Sequence, residues 1–142
     1  ATAETIVDGW LRSGDVGRMD DEGFVYVQDR AKDMILRGGE NVYCAEVEGT
    51  IYEHPSVHEA AVFGVPHERL GEEVAVAILP KAGAALSAAE LWSFLEGRMA
   101  SYKTPAHVAI LGEPLPRNAA GKFLKRELRE RYERGVLRVE SR

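Results

Sequence analysis

Three short segments carry residues whose types could do chemistry. Lys122 follows Gly121 in an apolar-poor loop between two structured stretches, where a functional ammonium is best presented. Gly38-Gly39 lies within Arg37-Gly38-Gly39-Glu40-Asn41, and paired glycines let backbone approach a ligand closely. Asp15 closes Ser13-Gly14-Asp15, and Arg30 stands fifteen positions on. Taken singly, each has a plain explanation. Gly-Asp is usually a turn-capping aspartate, Arg30 would pair at the surface with Asp29 or Asp33 for little gain, and Gly38-Gly39 would be a tight turn. Gly121-Lys122 is not a nucleotide-binding P-loop, because no Gly lies five residues earlier and Phe123 replaces the Ser or Thr. Cys44 has no neighbouring base in sequence and reads as a small packing residue. One Cys and four scattered His give no zinc-like spacing, and Asp20-Asp21-Glu22 lacks the alternating ligands of a calcium loop.

These residues need elements to hold them. Trp10 to Met19 and Phe24 to Gln28 alternate in polarity around the turn signal Asp20-Asp21-Glu22-Gly23, which predicts a hairpin. A helix is expected from about Ala45, with Val47 and Ile51 on one face, ending at His54-Pro55. Ala60–Pro66 and Glu73–Pro80 read as strands covered on both faces, with Val74, Val76 and Ile78 alternating with Ala75, Ala77 and Leu79. His67 in the intervening loop reads as a surface residue. Ser87-Ala88-Ala89-Glu90 is a capping box opening a helix whose buried stripe is Leu91, Phe94, Leu95 and Met99, with Trp92 off the stripe. A short strand, His107 to Leu111, precedes a Pro-rich connection. A last helix carries Leu124, Leu128 and Tyr132, with Glu127–Arg131 and Glu130–Arg134 as favourable pairs. The tail after Gly135 is expected to fray. From Arg30 on, the pattern predicts an α+β domain: a small sheet packed by about three helices.

The 142 residues give room for one domain, or one domain and part of another. The composition, 45% apolar and 29% charged, is ordinary for a soluble globular chain. No apolar run approaches a membrane span, and a lone Cys suits a reducing cytoplasm. From Arg117 to Arg142 nine Lys or Arg face four Glu, a net +5, which leaves −10 on the other 116 residues. That basic stretch lacks a nucleic-acid motif and aromatic interleaving, so no nucleic-acid partner is expected; a solvated helix face suits the interleaved acids better.

Three segments in order resemble the adenylate-forming enzymes, a family of acyl-CoA synthetases, luciferases and peptide-synthetase adenylation domains. They are Gly9-Trp10-Leu11-Arg12-Ser13-Gly14-Asp15, then Asp29-Arg30-Ala31-Lys32-Asp33 with Gly38-Gly39-Glu40-Asn41 and Glu46-Val47-Glu48, and Pro116 to Lys122. The wording Gly38 to Tyr43 is most similar to bacterial fatty-acyl-CoA ligases. The resemblance implies that residues 1–29 end a large adenylation domain, 30–135 form its mobile C-terminal lid and 136–142 a frayed tail. It implies ATP, coenzyme A, Mg²⁺ (its ligands elsewhere) and a carboxylic acid as ligands. The lid's partner would be its own N-terminal domain, and the fragment alone would be inactive.

By the same resemblance Lys122 reaches the α-phosphate of ATP and the attacking carboxylate. Asp15 accepts hydrogen bonds from the ribose, although Ser13 replaces the usual Thr. Arg30 contacts the nucleotide and Lys32 is the hinge. Gly38 and Gly39 flank the pantetheine arm, and Lys103 is a candidate for coenzyme A phosphates. The alternatives are an adenylation domain that loads a carrier protein, and a non-catalytic nucleotide- or CoA-binding module.

Overall fold

A computed structural model describes residues 5–142; residues 1–4, the start of the expected terminal segment, lie outside the described residues. The order is β1 (Ile6–Val7), β2 (Trp10–Leu11), β3 (Asp15–Met19), β4 (Val25–Arg30), β5 (Ile35–Arg37), β6 (Glu40–Val42), α1 (Cys44–Tyr52), β7 (Val57–His67), β8 (Gly71–Pro80), α2 (Ala88–Leu95), a 3₁₀ turn (Ser101–Lys103), β9 (His107–Ile110), α3 (Lys125–Glu133) and β10 (Glu140–Ser141).

The long β7–β8 hairpin is the spine. β9 runs parallel to β8 on its other edge, and β5 touches the start of β8 at Arg37↔Gly71 while pairing with β6. Strand alternation sorts the apolar residues onto two faces. Val62, Val74, Val76 and Ile78 face α1 and α2, meeting Val47, Ile51, Leu91 and Leu95. The opposite face offers smaller residues, Ala61, Ala75, Ala77 and Ala109, which admit Leu128 of α3 close to the sheet. Both faces are covered, as the near-continuous apolar run of β8 implies. Each large aliphatic so buried contributes about 1.5–3 kcal/mol.

The α+β expectation holds, and its capping box is present: Glu90 N–H donates to Ser87 Oγ while Glu90 Oε2 accepts from Ser87 N–H. Trp92 makes its second contact by donating Nε1–H to Pro105 O at 2.8 Å. Three details differ. The tail does not fray: Leu137 is buried and β10 pairs with β9, an addition that a two-residue strand cannot signal in sequence. His67 is half-buried, and its Nδ1 accepts from the Arg69 and Leu70 amides to hold the β7–β8 turn. On α3, Glu127–Arg131 forms at 2.6 Å, but Glu130 takes Arg126 rather than Arg134. The basic C-terminal stretch is answered in part by acids from the rest of the chain, through Arg117–Glu59, Lys125–Glu48 and Arg129–Glu72.

The β3–β4 hairpin forms a separate two-stranded sheet. Asp20 organises its turn by accepting from the Glu22 and Phe24 amides and the Tyr26 hydroxyl. Among the described residues, no helix is long and apolar enough to cross a membrane.

Candidate active-site lid

Lys122 ends a tight loop built by Asn118. The Asn118 side-chain oxygen accepts from the Ala120 and Lys122 amides, and Asn118 N–H donates to Lys122 O. The lysine side chain is 52% exposed, and its Nζ stands 3.9 Å from Asp33 Oδ2. A pair so exposed and loose is weak, so the ammonium is available to a ligand. The next lysine is different. Lys125 is largely buried and sits 2.8 Å from Glu48 Oε1, which also accepts from Val62 N–H. Burial alone would push Lys125 down, but the carboxylates of Glu48 and Asp29 hold its ammonium above the usual range. Lys122, Lys125, Arg126 and Arg129 line an open cavity of about 400 Å³ together with Lys32, Asp33 and Phe63.

Asp15 and Arg30 are directly opposite each other on β3 and β4, and Arg30 Nε lies 3.0 Å from Asp15 Oδ1. The two candidate nucleotide residues are thus brought together. Of the expected partners of Arg30, Asp29 is engaged by the Ala45 amide and Asp33 lies loosely beside Lys122. Asp29 is the residue the sequence reading missed. Tyr43 at the start of α1 provides no side-chain cap, and Asp29 Oδ2 accepts from Ala45 N–H at 3.2 Å instead. A carboxylate at a helix N-terminus is favourable, and this one reaches across from β4. Between the two lies the turn Ala31–Asp33, in which Arg30 O accepts from both Asp33 and Met34 N–H. Lys32 occupies that turn and is exposed.

Gly38 and Gly39 form the two-residue turn of the β5–β6 hairpin, with φ of +59° and +92°. Both angles lie where non-glycine residues are strained. The two glycines differ in surroundings. A Cβ on Gly38 would stand 3.1 Å from Leu70 Cδ2, while one on Gly39 would meet nothing within 4 Å. Gly38 is fixed by packing, and Gly39 presents an open face.

Two adjacent glutamates tie this turn to the rest. Glu73 receives Arg37 through Nε and a second guanidinium nitrogen, at 2.5 and 3.0 Å. Burial pushes the Glu73 carboxyl up, but Arg37 and the Val74 amide outweigh it and hold it below the usual range. Glu72 accepts from Leu36 N–H on β5 and from Arg129 on α3. Gly64 makes room for it, since a Cβ there would lie 2.9 Å from Glu72 Oε1. The lowered Glu73 value has a consequence for stability. Its contribution is present above the ordinary carboxylate range and lost as pH falls through the depressed native value. Glu73→Gln should therefore flatten the acid side of a urea-midpoint-against-pH curve and cost of order 1–3 kcal/mol near neutrality, from the Arg37 donors left short of a partner. An unchanged curve would refute this account of the pair.

Lys103 is committed within the fold. Its Nζ donates to both Glu46 oxygens at 2.6 and 2.8 Å, and that bond holds its ammonium above the usual range. Cys44 is buried, and burial pushes its thiol up to about 12, which excludes a thiolate nucleophile near neutral pH. Among the described residues, no cluster of three or more His, Cys, Asp or Glu could hold a metal ion.

An α+β body is thus joined by the exposed turn Ala31–Asp33 to a separate hairpin, and it carries a half-exposed lysine loop and an open glycine turn. Residues 46–122 match the family model described as the AMP-binding enzyme C-terminal domain, and the chain belongs to that family. It is 47% identical over 92% of its length to a fatty acid–[acyl-carrier-protein] ligase, ScoC, of Streptomyces coeruleorubidus, covering 25% of that protein. It is 51% identical over 94% of its length to the 2-succinylbenzoate–CoA ligase of Bacillus cytotoxicus, covering 27%. In structure it resembles the o-succinylbenzoate CoA synthetase of Bacillus subtilis in complex with its acyl-adenylate intermediate, with a TM-score of 0.81 at 42% identity over 88% of this chain and 25% of that one. The chain thus spans about a quarter of the length of the curated relatives it matches.

Proposed function

We propose that this chain is the C-terminal portion of an AMP-forming acid–thiol ligase, with residues 30–135 as its moving lid. A carboxylic acid, a fatty acid by the wording of the glycine segment, attacks the α-phosphate of ATP to give an acyl adenylate and pyrophosphate. A thiol, that of coenzyme A, then displaces AMP to form the thioester. The observation that carries this reading is the half-exposed Lys122 at a fixed loop tip beside the segment that starts at Lys32. Two anions must meet at the α-phosphate and negative charge grows there, so a preplaced ammonium stabilises the transition state more than the ground state.

In the second half-reaction a rotation about Lys32 carries Lys122 away and brings Gly39 toward the thiol's pantetheine arm. Hinges need only a few residues to absorb such a change. Asp15, and Arg30 at the edge of the lid just before Lys32, would hold the ribose and contact the nucleotide. Trp10, Leu11, Met19, Phe24, Val25 and Val27 are exposed on the small hairpins. That supports their packing in the large domain that the family's length implies.

A second reading, delivery to a carrier protein's phosphopantetheine, is favoured by the likeness to ScoC. ATP–pyrophosphate exchange by the full-length enzyme, run over fatty and aryl acids, tests adenylation and names the acid. Offering coenzyme A and a phosphopantetheinylated carrier then names the acceptor. The expected result is exchange with a fatty acid and thioester on coenzyme A. No exchange with any acid, from a folded protein that binds ATP, would favour the non-catalytic binding module.

A further inference from the structure

We infer that Arg117, anchored by Glu59, is the positioning residue of the Lys122 loop; this rests on the adenylation role proposed for Lys122. The Arg117 guanidinium donates to Glu59 Oε1 at 2.7 Å and to Gly121 O at 2.6 Å. It also stacks on the ring of Phe123, 4.0 Å from its centre. One planar group therefore touches the residue before Lys122 and the residue after it, and Arg117 and Phe123 form an isolated backbone bridge as well.

The anchor is firm. Glu59 lies on β7, its side chain is only 12% exposed, and its second oxygen accepts from Leu115 N–H at 2.9 Å. Residues 118–122, by contrast, are all exposed and bury nothing of their own. Lysine has a flexible four-carbon stem, so where its ammonium arrives depends on how firmly its backbone is held. Preorganised charge is what makes such a group effective in the transition state. Lysine in place of Arg117 could reach Glu59 or Gly121 O but could not fork to both and stack at once.

The test is Arg117→Ala and Arg117→Lys in the full-length enzyme, beside Lys122→Ala. Two rates are read: ATP–pyrophosphate exchange, and thioester formation from supplied acyl adenylate, which bypasses Lys122. Arg117→Ala is expected to lower kcat for adenylation by ~10²-fold, the scale of a misplacement of about 1 Å. The KM for ATP should change little and the thioester step should be preserved, with Arg117→Lys recovering only part of the loss. Equal losses in both half-reactions, or full exchange in Arg117→Ala where Lys122→Ala has none, would overturn the inference.

If Lys122→Ala itself keeps exchange, the adenylation role fails instead. The positioning claim is then decided by amide hydrogen exchange at Gly121 and Lys122 in the 142-residue chain. Both amides should exchange faster in Arg117→Ala while those of β7 and β8 stay protected, and no change at the loop would refute it.

Discussion

Lys122→Ala in the full-length enzyme is expected to slow acyl-adenylate formation by ~10²–10³-fold, the usual cost of removing one preplaced charge-stabilising donor. The KM for ATP should rise little, because a 52% exposed ammonium has no built ground-state partner beyond the loose contact with Asp33. The fold should be unharmed: Lys122 packs nothing, and its loop is closed by Asn118 and Arg117. Thioester formation from a supplied adenylate should survive, since in the proposed rotation the lid would then present its other edge. The neighbour Lys125 provides the contrast. Its replacement would strand Glu48 between α1 and β7, so stability and both half-reactions should fall together. Normal exchange by Lys122→Ala would remove the central site assignment.

Both edges ride on one body, and β8 is the reason. Glu73 grips Arg37 just before the glycine turn, while Glu72 joins Leu36 N–H of that strand to Arg129 of the helix that follows Lys122. The rotation proposed for this body would need these two edges kept in fixed relation. Adjacent carboxylates on one strand point to opposite faces, which lets each serve a different layer.

Much of this was readable in the residues. The spine of β7 and β8 follows from their apolar runs, and the second helix from its capping box, because local rules decide both. The candidate site was proposed mainly through resemblance; Gly121-Lys122 alone is too common to assign. What stayed hidden depends on distance in sequence. The Asp15–Arg30 pair needs the β3–β4 register, which shifts between Val16 and Gly17. Asp29 capping α1 spans sixteen positions and Glu59–Arg117 fifty-eight. Nothing in an alternating strand marks one glutamate as an anchor. The closing strand Glu140–Ser141 is too short to carry a period, so fraying was the natural expectation.

The glycine turn yields the second large effect. Gly39→Leu in the full-length enzyme should leave adenylation near normal and slow thioester formation from a supplied adenylate by ~10²-fold, the scale set by displacing reacting groups about 1 Å. Two causes could contribute, and Gly39→Ala separates them. Any L-residue at φ +92° costs roughly 1–2 kcal/mol of backbone strain, so both variants should melt lower by similar amounts. Only leucine places bulk over the open face where the pantetheine arm is proposed to pass. If that passage matters, Gly39→Ala loses modestly and Gly39→Leu severely at matched stability. Equal losses would make strain the whole cause. A fast thioester step in Gly39→Leu would take the thiol path away from this turn altogether. Gly38→Ala cannot replace this experiment, because its Cβ would press on Leu70 at 3.1 Å and disturb the packing of the turn on β8.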